Sequence, residues 1–144
     1  MIRFSKMADY GVLLLGHFAR AEDDVLTSAT ELAETFHMPR SVVANLLKAF
    51  REEGLLVSKR GLGGGYGLAR PAEEISLLEM LKVIDGPVRL TDCAVDELAD
   101  TCEYEDVCTS RSPMRAVNQR IVDMLAGTTL ADLMSAEHPT PSRS

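Results

Sequence analysis

No run of apolar residues approaches the roughly eighteen that a membrane-spanning helix needs, so no membrane partner is expected. The apolar opening MIRFSKMADYGVLLLGHF is interrupted by Asp9 and has no small-residue cleavage site after it, so it does not read as a signal peptide. The three cysteines are an odd number and cannot close a disulfide framework; functional thiols in a cytoplasmic protein fit better. No CxxC is present, which leaves a thioredoxin-like pair or a zinc ribbon without support. The glycine run Gly61-Leu62-Gly63-Gly64-Gly65 is not G-x-x-x-x-G-K-S/T and lacks the strand-to-helix setting of a dinucleotide site. No internal repeat is found. No nucleophile–His–acid arrangement can be placed, and the chain is too small for a separate catalytic cleft, so it is not expected to be an enzyme. Overall positive charge is lacking too: the net charge is -7.

What is present is enough apolar material, 46% of 144 residues, for a real core. The length suits one domain, or one domain with a dimerisation element. The acidic total hides an uneven distribution. Residues 37–70 hold Arg40, Lys48, Arg51, Lys59, Arg60 and Arg70 against Glu52 and Glu53, a local +4. Residues 71–110 hold eleven acids against Lys82 and Arg89, a local -9. A polyanion responds to the local field, so the basic stretch keeps nucleic acid open as a partner.

Helical periodicity predicts a first helix over 5–20, capped by Ser5, with Met7, Gly11, Leu14 and Phe18 recurring on one side. A second, started by Thr27 or Ser28, covers about Ala29 to Phe36, with Glu31 three residues after Ser28 as a capping box. His37-Met38-Pro39 forms a turn. A third helix spans about Arg40 to Glu53, buries Val43, Leu46, Leu47 and Phe50, and stops at Gly54. Residues 55–60 and 66–69 read as strands joined by the glycine tip, with Pro71 closing the unit. A short helix follows over Ile75 to Ile84, stopped by Gly86-Pro87. Residues 87–112 show no long periodicity and contain every cysteine. Pro113 opens a last long helix to about Ala126, and Leu130 to Met134 adds a turn or two.

Two short helices about a tight turn, then strand, glycine tip and strand, is the order of a winged helix-turn-helix. With its apolar stripe buried, the third helix leaves Arg40, Ser41, Ala44, Asn45 and Lys48 outward. Arg and Asn can bond base edges bidentately, and Ser can bond base or phosphate. In the wing, Arg60 suits the minor groove and Lys59 a phosphate. The plain alternative is a solvated helix face beside an ordinary hairpin.

Cys93, Cys102 and Cys108 lie in an acidic, loop-like segment. Thiolates converging on one centre favour iron–sulfur, zinc or copper(I). The alternative is three scattered structural or free thiols.

These residues together resemble the iron–sulfur winged-helix regulators of the IscR, NsrR and SufR kind, the Rrf-two family, over roughly residues 1–130. The resemblance is carried by Ile2-Arg3-Phe4-Ser5-Lys6-Met7-Ala8-Asp9-Tyr10, Glu31-Leu32-Ala33, the wing Arg60-Gly61-Leu62-Gly63-Gly64-Gly65-Tyr66, and Glu74-Ile75-Ser76. Leu90-Thr91-Asp92-Cys93 with Cys102 and Cys108 is most similar to proteobacterial regulators of the Suf iron–sulfur assembly operon.

The resemblance implies a mostly α fold: a winged helix-turn-helix with a small two-stranded wing and a C-terminal dimerisation helix. The implied divisions are 1–86 for DNA binding, 87–112 for the cluster loop, 113–135 for dimerisation and 136–144 as a disordered tail. A homodimer would join through the stripe Met114, Val117, Ile121 and Leu125. A 2Fe–2S or 4Fe–4S cluster would sit on Cys93, Cys102 and Cys108 and control binding to a double-stranded operator, with repression of Suf genes as the output. Some relatives add a histidine three residues after the third cysteine; here that position is Arg111. Others use a carboxylate in the first helix of the partner subunit, a position matched by Asp9, so Asp9 is the expected fourth ligand. His17 and His37 are lesser candidates. A zinc or thiol sensor of redox state or nitric oxide on the same fold is the alternative function.

Overall fold

The chain begins with a helix whose cap does double duty. In the computed structural model, which describes residues 3–94, 103–104 and 106–135, α1 spans Lys6–Arg20. The Ser5 hydroxyl oxygen accepts from the Ala8 N–H at 3.1 Å, and the hydroxyl donates to Asp85 at 2.7 Å. This ties the start of α1 to the end of α4 (Leu77–Asp85). The two helices also approach closely. A Cβ at Gly11 would collide with Ile84 Cδ1 and lie 3.0 Å from Phe50 Cζ, so glycine admits the contact.

α2 (Ala29–Phe36) starts at Ser28, whose hydroxyl accepts from the Glu31 N–H at 3.1 Å; among the described residues the reciprocal half of the expected capping box, from the Ser28 N–H to the Glu31 carboxylate, is missing. It ends on His37, held in the left-handed region at φ 53°. The Met38 N–H donates to the Ala33 carbonyl at 3.0 Å, a Schellman-type close. Pro39 then leads into α3 (Arg40–Glu52). α3 ends in a similar way: Leu55 N–H donates to Phe50 O at 2.9 Å and Gly54 N–H to Arg51 O at 3.1 Å. The hydrophobic partner of that motif, Leu55, is buried at the mouth of β1.

β1 (Leu56–Lys59) and β2 (Gly65–Leu68) pair antiparallel, from Leu56 opposite Leu68 to Lys59 opposite Gly65. A further pairing extends this hairpin. Thr27 N–H donates to Tyr66 O at 3.0 Å and Tyr66 N–H to Thr27 O at 2.8 Å, fastening the wing to the residue before α2's cap. Gly65 makes this approach possible. Its φ is +152°, and a Cβ there would stand 2.6 Å from the Thr27 carbonyl carbon.

A single 3-10 turn, Ala72–Glu74, precedes α4. Ile75 was expected inside that helix; it is extended instead, and fully buried. The helix starts after Ser76, which forms a complete capping box with Glu79. α5 (Arg111–Gly127) begins two residues before Pro113, which sits in the first turn where its missing N–H costs nothing. α6 (Leu130–Ser135) closes the described chain.

The main core joins Leu14 and Leu15 of α1, Leu32 of α2, Val43, Leu47 and Phe50 of α3, Ile75, Met80 of α4 and Leu130 of α6. Each such side chain contributes about 1.5–3 kcal/mol by leaving water. The chain's return is stitched in by backbone: Leu77 N–H donates to Thr128 O and Leu130 N–H to Ile75 O, both at 2.8 Å. A second cluster gathers Ala8, Leu78, Leu81 and Leu125, with Val88, Ile121 and Val122 against it. Among the described residues no helix is long and apolar enough to cross a membrane. The expected tail, 136–144, lies outside the described residues. The architecture is the mostly helical winged-helix arrangement with a two-stranded wing that the sequence leads one to expect.

Candidate nucleic-acid interface and thiol site

α3 divides cleanly. Val43, Leu46, Leu47 and Phe50 are buried, while Arg40, Ser41, Asn45 and Lys48 are exposed and Ala44 is half-buried. The N-cap is Pro39, whose side chain makes no capping bond, so first-turn N–H groups of α3 remain open toward an anion. Lys48 reaches Glu52 at 3.9 Å, but both side chains are more than half exposed, so the pair leaves the ammonium largely available. Lys59 ends β1 and Arg60 follows it; both are exposed. Arg51 donates to the Ser58 hydroxyl at 3.5 Å, a weak link between the end of α3 and the wing. Helix face and wing are therefore both built on the scaffold formed by α3, β1 and the Thr27–Tyr66 pairing.

The thiols lie on the other side of α4 in the chain. Cys93 sits in a 3-10 turn, Asp92–Ala94, half-buried, with its sulfur 3.3 Å from the Thr91 hydroxyl. Cys108 is exposed. Both line one open hollow of about 520 Å³ with Thr91, Tyr104, Ser110, Arg111 and Met114. Cys102 lies outside the described residues. Among the described residues no group of three or more His, Cys, Asp or Glu side chains is placed to hold a metal ion. The described part of the donor set, two cysteines and an arginine lining one space, is of the ligand type that an anionic iron–sulfur group takes. Arg111 stands at the edge of that space, where some relatives are expected to have histidine.

Asp9 is exposed in the first turn of α1 and does not line the hollow within one chain. His17 is engaged elsewhere. Its Nε2 is 3.2 Å from the Thr27 hydroxyl, and its ring meets Phe18 and Phe36 edge-on at 5.6 and 6.0 Å. His37 closes α2 with its backbone in the turn to α3, its side chain exposed.

The stripe on α5 is split. Leu125 is 3% exposed and packs, with Ile121, against α1 and α4 of its own chain. Met114 faces the thiol hollow. Val117 and the neighbouring Met124 are the exposed large apolar residues of this helix, at 43% and 62%.

Sequence reasoning missed Asn118. It is 5% exposed on α5, its carbonyl accepts from the Leu90 N–H at 2.9 Å, and its amide donates to the Val88 carbonyl at 3.3 Å. The Leu90 end of the cysteine segment is thereby pinned to α5. A polar residue at the centre of an otherwise apolar-spaced helix was the available signal.

The chain is similar to known proteins along nearly its whole length. The model of the Rrf2 family, described as iron-dependent transcriptional regulators, matches residues 4–136. Rv1287 of Mycobacterium tuberculosis, whose name assigns it as an HTH-type transcriptional regulator, is 31% identical over 140 residues, covering 96% of this chain and 84% of that protein. Among solved structures, CymR, the global cysteine regulator of B. subtilis, superposes with a TM-score of 0.73 at 25% identity, over 94% of this chain and 98% of that one. IscR of T. potens gives 0.71 at 25% identity, over 92% and 86%.

Proposed function

The chain belongs to the Rrf2 family of transcriptional regulators, and from that premise we propose that it is an iron–sulfur-dependent repressor of cluster-assembly genes of the Suf kind. The observation that carries the reading is the shared hollow of Cys93 and Cys108 at the first turn of α5. The third ligand in this reading is Cys102, and the fourth is Asp9 of a second copy. An iron–sulfur cluster bound there supplies a centre whose occupancy and charge follow iron and redox state. The rest is done by the protein. Three thiolates hold the group, Arg111 offsets their charge, and Asn118 carries the position of the loop into α5. The chain acts as a cytoplasmic homodimer joined by α5, with Val117 and Met124 on the face toward the partner. The dimer sets the separation of two α3 helices, and half-site spacing is a geometric requirement of operator binding. Arg40, Ser41, Asn45 and Lys48 read the major groove, while Lys59 and Arg60 engage backbone and minor groove.

A second reading, a thiol or zinc sensor on the same fold, is favoured by the likeness to CymR, the global cysteine regulator of B. subtilis. One experiment separates the two. The protein is purified without air, its visible spectrum is recorded, and iron and acid-labile sulfide are measured per chain. The cluster reading expects a brown protein with matched iron and sulfide, lost in Cys93→Ala, Cys102→Ala and Cys108→Ala. A colourless protein that resists reconstitution overturns it and leaves the thiol or zinc sensor.

A further inference from the structure

We propose that Leu62 is a groove-inserting residue, the single side chain of a glycine blade that enters the DNA minor groove and reads its width. The proposal rests on the reading of the chain as a duplex-DNA binder. Between Arg60 and Tyr66 the sequence is Gly-Leu-Gly-Gly-Gly, so Leu62 is the only side chain on the tip. It is entirely exposed, at 109%, more than any other large apolar residue described.

The tip is thin for a steric reason. Gly64 N–H donates to Gly61 O at 3.0 Å, closing a tight turn around Leu62 and Gly63. A Cβ at Gly64 would stand 2.5 Å from the Lys59 carbonyl oxygen, as one at Gly65 would strike Thr27. The blade is therefore bare backbone apart from one leucine. The minor groove is about 6 Å wide and admits little more than that. Proteins that use this groove often push an apolar side chain against or between base steps.

The blade's position is also set. The pair of bonds between Thr27 and Tyr66 holds β2 to the helix-turn-helix, so the tip stands at a fixed offset from α3. Lys59 and Arg60, both exposed, flank its base and draw it toward phosphates. Charge provides approach, and Leu62 provides discrimination: it gains by leaving water only where the groove floor lets it seat. The guanine N2 amino group stands on that floor, so A·T-rich or otherwise unobstructed steps are favoured.

The test uses the full chain, purified without air, and a duplex enriched by that protein from a random-sequence library. Affinity is measured against salt concentration for the native protein, Leu62→Ala, Leu62→Gln and Arg60→Ala. Both Leu62 variants are expected to bind about tenfold more weakly at every salt concentration, with parallel salt lines. Arg60→Ala is expected to lower the salt slope by about one. Placing G·C pairs at the steps under the wing is expected to weaken binding by the native protein, and replacing those guanines by inosine, which lacks the N2 amino group, is expected to restore it, with Leu62→Ala little affected by either change. Native affinity in Leu62→Ala, or an equal response of both proteins to inosine, would overturn the proposal. Failure of the native chain to enrich any duplex would overturn the DNA-binding reading, and this proposal with it.

Discussion

Asn118 and Leu90, twenty-eight residues apart, are joined by a 2.9 Å hydrogen bond from the Leu90 N–H to the buried side-chain carbonyl of Asn118. The same side chain donates to Val88 O, so one amide serves both a donor and an acceptor of the loop backbone. Replacing it by alanine strands both groups. Asn118→Ala is expected to lower unfolding free energy by about 2 kcal/mol. Asn118→Asp is expected to cost more near neutral pH, because a carboxylate would then face the Val88 carbonyl. Denaturant midpoints at unchanged slope check both.

The turn between α2 and α3 depends on a residue in an unfavourable conformation. His37 sits at φ 53°, ψ 40°, where a branched side chain is strained. His37→Val is expected to destabilise the protein by about 1–2 kcal/mol and weaken operator binding. His37→Gly should remain within about 1 kcal/mol of the native protein. Thermal melts and DNA affinity of the two variants give the comparison.

Glu79 makes stability depend on acid. Burial alone would push its carboxyl up. The Ser76 backbone N–H, Arg70 at 2.8 Å and the Ser76 hydroxyl outweigh that and hold it below its ordinary value. A depressed carboxylate stabilises the fold above the pKa it has when unfolded. That contribution is lost as pH falls from about 4 through the folded value. Glu79→Gln is expected to flatten this part of the stability-versus-pH curve, read by urea unfolding from pH 6 to pH 3.

On α3 the charges predict a graded response. Lys48→Ala is expected to weaken binding on all sequences and lower the salt slope by about one, whereas Asn45→Ala is expected to relax discrimination at one base position with the slope unchanged. Glu52→Gln, which frees Lys48 from its 3.9 Å partner, is expected to tighten binding about twofold. Fluorescence anisotropy over a salt series reads all three.

Gly65→Ala tests the wing's attachment. Its Cβ would meet Thr27 backbone atoms at 2.6 and 2.7 Å, and backbone cannot step aside. The expected result is a loss of about 2 kcal/mol in stability with a larger loss of DNA affinity than the melt alone explains.

Local signals in the sequence were sufficient for most of the local structure, although α4 starts only after Ser76, whose capping box with Glu79 leaves Ile75 extended. Ser5 and Ser28 cap where their hydroxyl chemistry says they should, and the apolar spacing of Val43, Leu46, Leu47 and Phe50 identifies the buried side of α3. The glycine tip marks the wing. The rest of what escaped depended on distant partners. Nothing near Thr27 announces its pairing with Tyr66, and nothing near Asn118 announces Val88 and Leu90. The stripe on α5 shows the same limit. Periodicity identifies an apolar face but not its occupant, and Leu125 is covered by Ala8, Leu78 and Leu81 of the same chain. For the thiols, spacing left convergence open, and folding brings Cys93 and Cys108 to one hollow.

Leu130 is fully buried in the same core as Leu14, Leu32 and Phe50, held there by the bond from its N–H to Ile75 O. The helix-turn-helix and wing are thus finished by a residue that the ribosome adds some sixty positions after the wing itself. During synthesis the DNA-binding surface has all its own residues but lacks one wall of its core. A chain ending before α6 leaves that side of the core exposed, so it is expected to be less stable than the full chain by about the 1.5–3 kcal/mol that burying one leucine contributes.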